Sequence, residues 1–483
     1  MDGADRDEGL PPGADARLAA WVDAHLEEVA ADVAAMLRIP SVRGEAEPDA
    51  PFGREVRRAL DAFLERAHRD GFAVASVPGA AGHVEWGPEG APIVGVLAHL
   101  DVVPAGEGWT RDPFGGAREG DRIYGRGAMD DKGPAVAAYW ALKAVREIYG
   151  PGRRRVRLIV GGDEESGFEC LHRYFAVHEM PELGFTPDAS FPLVTAEKGI
   201  ATLVIEARMD GAGPARLLSL AAGTRPNVVA ARGEAVVEVP PAGREAALAA
   251  LLGGEGPEGT HLSARPEGED RVRVVAVGRA AHASLPEQGA NAAARLLLAL
   301  ARLPGLGEGE RAVLDHLGRS GADLTGGALG VAASDAESGP LTANLGTLSL
   351  EDGRLRAAFN LRYPVTSSLD ELVARCRAAL PAGATAAVEG GHAPLRADPR
   401  SEIVRTLERV FEAETGRPAT HLAIGGGTYA RELRQGVAFG PQWPEDEETA
   451  HAPDEYLSVG RLARMVAIYA RAIAVLAGSA PLP

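Results

Sequence analysis

The sequence predicts an α/β protein in which one domain is interrupted by a second, α+β domain. Two observations predict it. Strand-like apolar runs alternate with helical periodicity in the first part of the chain and helical periodicity returns near its end, whereas the middle is dominated by strands. The residues best suited to holding metal stand at strand ends or glycine turns of the outer segments only. At 483 residues the chain also exceeds one ordinary core.

Met1 to Asp15 is acidic and rich in Gly and Pro, lacks the basic and apolar stretches of a signal peptide, and reads as a frayed tail. Arg54 to His68 alternates apolar and charged residues at helical spacing, Gly71 stops it, and a strand-like Phe72 to Val77 follows. Pro92 to Ala98 reads as a buried strand that delivers His99 at its carboxyl end; Val156 to Val160 delivers Gly161 to Glu165 in the same way. Open α/β sheets place ligands at those ends. Between the two, Pro134 to Tyr149 is helix-like, with Val136, Tyr139, Trp140, Leu142 and Val145 apolar. After Lys198-Gly199 strands dominate: Ala201 to Arg208, Ala235 to Val239, Val272 to Val277, and a hairpin of Leu345 to Leu350 with Leu355 to Leu361 about Asp352-Gly353. From Pro399 helical periodicity resumes. The expected division is 1–198 and 388–483 for the discontinuous first domain and 199–387 for the insert.

Composition excludes several function classes. Acidic residues outnumber basic ones 68 to 50, and the net charge of -18 repels nucleic acid and anionic membranes, leaving a small-molecule substrate. Cys170 and Cys376 show neither metal spacing nor a disulfide pattern, which fits a cytoplasmic protein. No apolar run approaches the length of a membrane span.

The chemistry lies in short strings. His99-Leu-Asp101 puts both polar residues on one face of an extended chain, so that Asp101 can orient His99 for a metal. In Gly125-Arg-Gly-Ala-Met-Asp130-Asp131-Lys-Gly, glycines permit a close turn and Asp130 can bridge two ions through its two oxygens. An acidic N-cap accounts for one aspartate, not for the string. Glu164 and Glu165 are adjacent at a strand end, so one can bind metal while the other faces water as general base. Asp188 stands in Pro-Asp, otherwise ordinary turn chemistry. His282 ends a strand of the insert, where it is either structural or able to reach an oxyanion. Arg362 is either a solvated strand charge or a carboxylate clamp, and Gly425 to Thr428 either a turn or a source of N–H groups for the same anion. Mixed imidazole and carboxylate ligands of this kind point to two divalent ions that activate water for hydrolysis.

Together with Thr449-Ala-His451 these strings resemble the superfamily of co-catalytic zinc peptidases that contains aminoacylase, bacterial carboxypeptidase G and succinyl-diaminopimelate desuccinylase, and most closely its bacterial dipeptidase branch, peptidase V. The likeness runs through nearly the whole chain in order. It implies an α/β fold with a two-metal exopeptidase-type catalytic domain and an inserted α+β lid domain. It implies one zinc on His99, Asp130 and Asp188 and another on Asp130, Glu165 and His451, with manganese or cobalt as alternatives. It further implies Glu164 as general base, Asp101 as the partner of His99, a cis Asp130-Asp131 peptide, His282 as oxyanion donor, and Arg362 and Asn227, with Gly426, Gly427 and Thr428, as holders of the substrate carboxylate. Pro226 and Ala283 depart from the pattern in the lid. A large lid implies a monomer. The expected activity is hydrolysis of dipeptides with a free C-terminal carboxylate. The alternative is an N-acetyl or N-succinyl amino acid amidohydrolase, and a rival of another class is a non-catalytic peptide binder.

Overall fold

The structure is a computed structural model that describes residues 15–211 and 213–483. The expected N-terminal tail lies outside the described residues except for Asp15. That residue is ordered, because its carboxylate caps the helix Ala16–Leu37 by accepting from the Arg17 and Leu18 N–H groups. The helix buries Leu18, Val22, Leu26, Val29 and Val33, a stripe at three- and four-residue spacing.

The chain forms two compact units. The first ends at Thr195 and resumes over Arg396–Leu422 and Thr428–Pro483; the second is Ala196–Leu395 with Ala423–Gly427. The expected boundary at 387 would cut the strand Ala384–His392, which pairs antiparallel with Gly199–Arg208. A register shift between Ala201 and Leu203 and the positive φ of Gly390 and Gly391 disguise that strand's alternation.

The first unit is built on a mixed sheet. Its parallel centre runs Arg155–Gly161, Ile93–His99, Leu183–Thr186 and Gly436–Ala438, with Ala81–Trp86 and Ala73–Val77 added antiparallel at one side. All seven residues of Ile93–His99 are buried, so both faces of the strand are covered, as parallel sheets require. Helix Lys132–Ala144 packs on this strand and against Val459–Ala477, and Arg54–Arg69 packs on the antiparallel strands. The expected helix to Tyr149 is confirmed with one change: its last turn, Val145–Tyr149, widens to a π-helix.

The second unit holds an eight-stranded antiparallel sheet in the order His261–Glu267, Arg271–Val277, Arg232–Glu238, Arg216–Ala222, Thr342–Glu351, Arg354–Tyr363, Gly199–Arg208 and Ala384–His392. Burial alternates along Arg271–Val277, so one face of the sheet carries the core. Helices Ala292–Leu300 and Glu308–Ala322 cover part of it. The hairpin about Asp352-Gly353 forms as the alternation predicts, with Glu351 opposite Arg354.

Candidate metal centre

Three neighbouring parallel strands present the first donors at their carboxyl ends. His99 closes Ile93–His99 opposite Gly161, which leads into Glu164 and Glu165, and Asp188 follows Leu183–Thr186 on the other side. Asp130 comes from the turn before helix Lys132–Ala144, and His451 from the loop before Tyr456–Ser458. Glycine is required in the Asp130 turn. Gly127 has φ +92°, and a Cβ on Gly133 would stand 2.1 Å from the Ala128 carbonyl oxygen. The Asp130–Asp131 peptide is cis, and the Asp131 carboxylate accepts from the His99 N–H at 3.1 Å.

The donors form two groups that share one aspartate. His99, Asp130 and Asp188 converge within 4.8 Å, as do Asp130, Glu165 and His451. Nε2 of His99 lies 2.9 Å from Asp130 Oδ1 and 3.7 Å from Asp188 Oδ2. On the other side, Nε2 of His451 lies 2.8 Å from Asp130 Oδ2 and 3.1 Å from Glu165 Oε1. Each oxygen of Asp130 therefore faces a different histidine.

A cation fits this arrangement for a reason visible in the hydrogen bonds. His99 Nδ1 is 2.9 Å from the Asp101 carbonyl oxygen, which can only accept, so Nδ1 carries the ring hydrogen. Nε2 then faces carboxylate oxygens that also only accept, so the contact requires positive charge there, supplied by a proton on Nε2 or by a bound cation. Asp130, despite its burial, is held well below the usual carboxylate range by His451 and His99, whereas the other three carboxylates are raised. Burial, and then the charge of Asp130, pushes Asp188 up to about 7. Burial, followed by Asp188, lifts Glu164 well above the usual carboxylate range, and burial with Asp130 raises Glu165. Against their burial, His99 is raised well above the usual imidazole range by Asp188, Asp101 and Asp130, and His451 is pushed up to about 11 by Asp130 and Glu165; the cluster thus calls for positive charge, and its nitrogen and oxygen donors suit a divalent ion.

Asp101 faces His99 through two of its oxygens. Its carboxylate is 3.5 Å from His99 Nδ1, whereas its backbone carbonyl makes the shorter contact. The carboxylate also accepts the N–H groups of Glu164 and Glu165, at 3.1 and 3.2 Å, and so sets the turn that carries both. Cys170 and Cys376 are free and buried; Cys170 meets the Tyr429 hydroxyl at 2.9 Å.

Two buried groups of this unit escaped the sequence reading. The Glu455 carboxylate and the Arg126 guanidinium pair at 2.7 Å beneath the Asp130 turn. Glu455 stands in an acidic, proline-containing loop that reads as solvated, so nothing in its spacing announced a buried role.

The remaining expected residues lie in or beside the second unit. Arg362 is 5% exposed rather than a solvated strand charge. It donates from Nε to Asn360 Oδ1 at 2.8 Å and from Nη1 to the Gly425 carbonyl at 3.0 Å. The glycine loop thus offers Arg362 a carbonyl oxygen. Gly426 and Gly427 continue that loop, while Thr428 Oγ1 accepts from Ala430 N–H and caps the following turn. His282 pairs by an isolated bridge with Val228, its Nδ1 is 2.6 Å from Ser284 Oγ, and Ala283 N–H donates to the Asn227 carbonyl. Asn344, fully buried and also missed, donates to the Pro226 and Val228 carbonyls and holds the Asn227 turn.

A mixed α/β sheet whose parallel strand ends, with one turn and one loop, gather two histidine and carboxylate groups around a shared aspartate is the architecture of a metal-dependent hydrolase. Residues 95–475 match the model of peptidase family M20/M25/M40, and the chain belongs to that family. It is a metallopeptidase. It is 40% identical over 460 residues to the Bacillus subtilis (strain 168) protein named "Putative dipeptidase YtjP", covering 93% of this chain and 97% of that one. It is 35% identical to "Putative dipeptidase SH1171" of Staphylococcus haemolyticus (strain JCSC1435), covering 92% and 95%. Among solved structures, human carnosine dipeptidase 1 aligns with a TM-score of 0.58 at 16% identity, covering 97% of this chain and 99% of that one. The di-peptidase Dug1p of Saccharomyces cerevisiae aligns with a TM-score of 0.56 at 14% identity, covering 94% and 98%. At such identities the structural likeness establishes the fold.

Proposed function

We propose that the protein hydrolyses dipeptides with a free C-terminal carboxylate in the cytoplasm, as a monomer, using two zinc ions. The observation that carries the reading is the division of Asp130 between His99 and His451, which makes one carboxylate common to two ligand sets. His99, Asp130 and Asp188 would hold one ion; Asp130, Glu165 and His451 the other. Bound there, divalent ions polarise a carbonyl and acidify water. Manganese and cobalt suit the carboxylate-rich set as well, so the metal is a matter for titration.

Glu164 takes the proton as the water oxygen attacks the peptide carbonyl. It returns that proton to the amine nitrogen as the C–N bond breaks. Its raised affinity for protons, from burial and from Asp188, suits a group that must accept a proton and give it back. Asp101 positions Glu164 through the backbone, with Glu165 beside it. Arg362, already aligned by Asn360, would grip the substrate carboxylate together with Asn227 and the N–H groups of Gly426, Gly427 and Thr428. His282 would donate to the developing oxyanion. The dipeptidase names of two relatives, matched along more than nine-tenths of this chain, support the substrate class.

The test is turnover by chelator-stripped protein, with zinc or manganese restored, on dipeptides, longer peptides, and N-acetyl and N-succinyl amino acids. Metal-dependent release of free amino acids from dipeptides is expected. Preference for N-acyl substrates would replace the proposed activity, and tight peptide binding without turnover would point to a binding protein.

A further inference from the structure

The segments that supply Asp130 and His451 are more than three hundred residues apart in sequence, yet one buried ion pair joins them. Glu455 is 0% exposed, and its Oε1 accepts N–H groups from Gly127, Met129 and Asp130 at 3.1, 2.8 and 3.3 Å. Its other oxygen, Oε2, accepts from Arg126 Nη1. Arg126 in turn donates to the His451 carbonyl at 3.1 Å and to those of Ala452 and Ala105 at 3.3 and 3.1 Å. Antiparallel pairing of Tyr456–Ser458 with Arg122–Tyr124 continues the same junction.

This network acts on a backbone that needs holding. His451 has φ +62° and Asp454 φ +56°, both left-handed positions for residues other than glycine. Such conformations are unfavourable for residues that carry a Cβ and persist only where the surroundings over-determine them. The Asp454 carboxylate adds to the restraint by accepting from Thr110 N–H and Oγ1. Glu455 itself is no member of either ligand group.

We infer that Arg126 and Glu455 are a positioning pair that sets Asp130 Oδ2 and His451 Nε2 at ligand separation, and so governs the ion held by Asp130, Glu165 and His451. The inference rests on the two-ion reading above. It is asymmetric: of the first ligand set the pair touches only the Asp130 turn, His99 and Asp188 being presented by the parallel strands, whereas in the second set it holds both Asp130 and His451.

The experiment is calorimetric titration of chelator-stripped wild type, Glu455→Gln, Arg126→Lys and His451→Ala with Mn²⁺, with folding of each checked by circular dichroism at the titration temperature. Wild type should take up two ions. His451→Ala should lose one, and Glu455→Gln should weaken that same ion by about 10–100-fold while changing the other little. Arg126→Lys keeps the charge but lacks the fork, and should weaken the same ion by a smaller factor. Excess Mn²⁺ should restore kcat in both variants. Lower thermal stability with two unchanged ion affinities, equal weakening of both ions, or failure of both variants to fold would each mean a merely structural pair and overturn the inference. A wild type that binds no Mn²⁺ would instead remove the two-ion reading itself.

Discussion

At the residue scale, the proposed function separates groups that would hold a cation from one, Glu164, that would move a proton. Glu164 is outside both ligand groups, while its neighbour Glu165 is in one. Glu164→Gln should therefore keep the metal content of the wild type and lower kcat by about 10²–10⁴-fold, the usual contribution of a general base; metal analysis beside steady-state kinetics checks both halves. His83 offers a separate prediction, remote from catalysis. Burial, and next the Arg157 charge, lowers its pKa to about 4 from the usual 6.5, and its Nδ1 meets the Tyr174 hydroxyl at 2.7 Å. The unfolded chain thus binds a proton at a pH where the folded one does not. The stability this neutral ring contributes is complete above about pH 6.5 and is lost as pH falls toward 4. His83→Gln should flatten the denaturant-measured stability profile across that window.

At the scale of elements, backbone approach decides what can be changed. Gly133 opens helix Lys132–Ala144 with no room for a Cβ, since the nearest atom is a backbone oxygen that cannot swing aside. Gly133→Ala should cost about 1–3 kcal/mol by overpacking and, by displacing the Asp130 turn, weaken metal uptake as well; chemical denaturation and Mn²⁺ titration report the two effects. The same helix illustrates what periodicity can and cannot reveal. Its apolar positions were legible, but not its π-helical last turn, because a one-residue widening leaves the apolar pattern of Val145 and its neighbours unchanged. The strand Ala384–His392 was missed past residue 387 because Gly390 and Gly391 carry no side chains to alternate.

At the scale of the whole molecule, each unit has a hydrophobic core of its own, one around Val96, Trp140 and Tyr469 and the other around Leu203, Leu296 and Phe359. Calorimetry should therefore resolve two unfolding transitions. Saturating metal should raise the midpoint of one of them, since binding at about a thousand times Kd adds about 4 kcal/mol to the state that binds; chelation should return that transition alone to its lower temperature. The sequence by itself determined the α/β architecture and the inserted sheet, because strand periodicity is local, and its short motifs, through the family they resemble, offered five residues to metal: His99, Asp130, Glu165, Asp188 and His451. Only the tertiary structure decided which atoms of those residues are used. Asp101 serves through its carbonyl to His99 and its carboxylate to the Glu164 turn, a choice between two oxygens that sequence spacing does not express. Arg126 and Glu455 became part of the site only when strands distant in sequence paired, for burial of a charge depends on the folded neighbours that surround it.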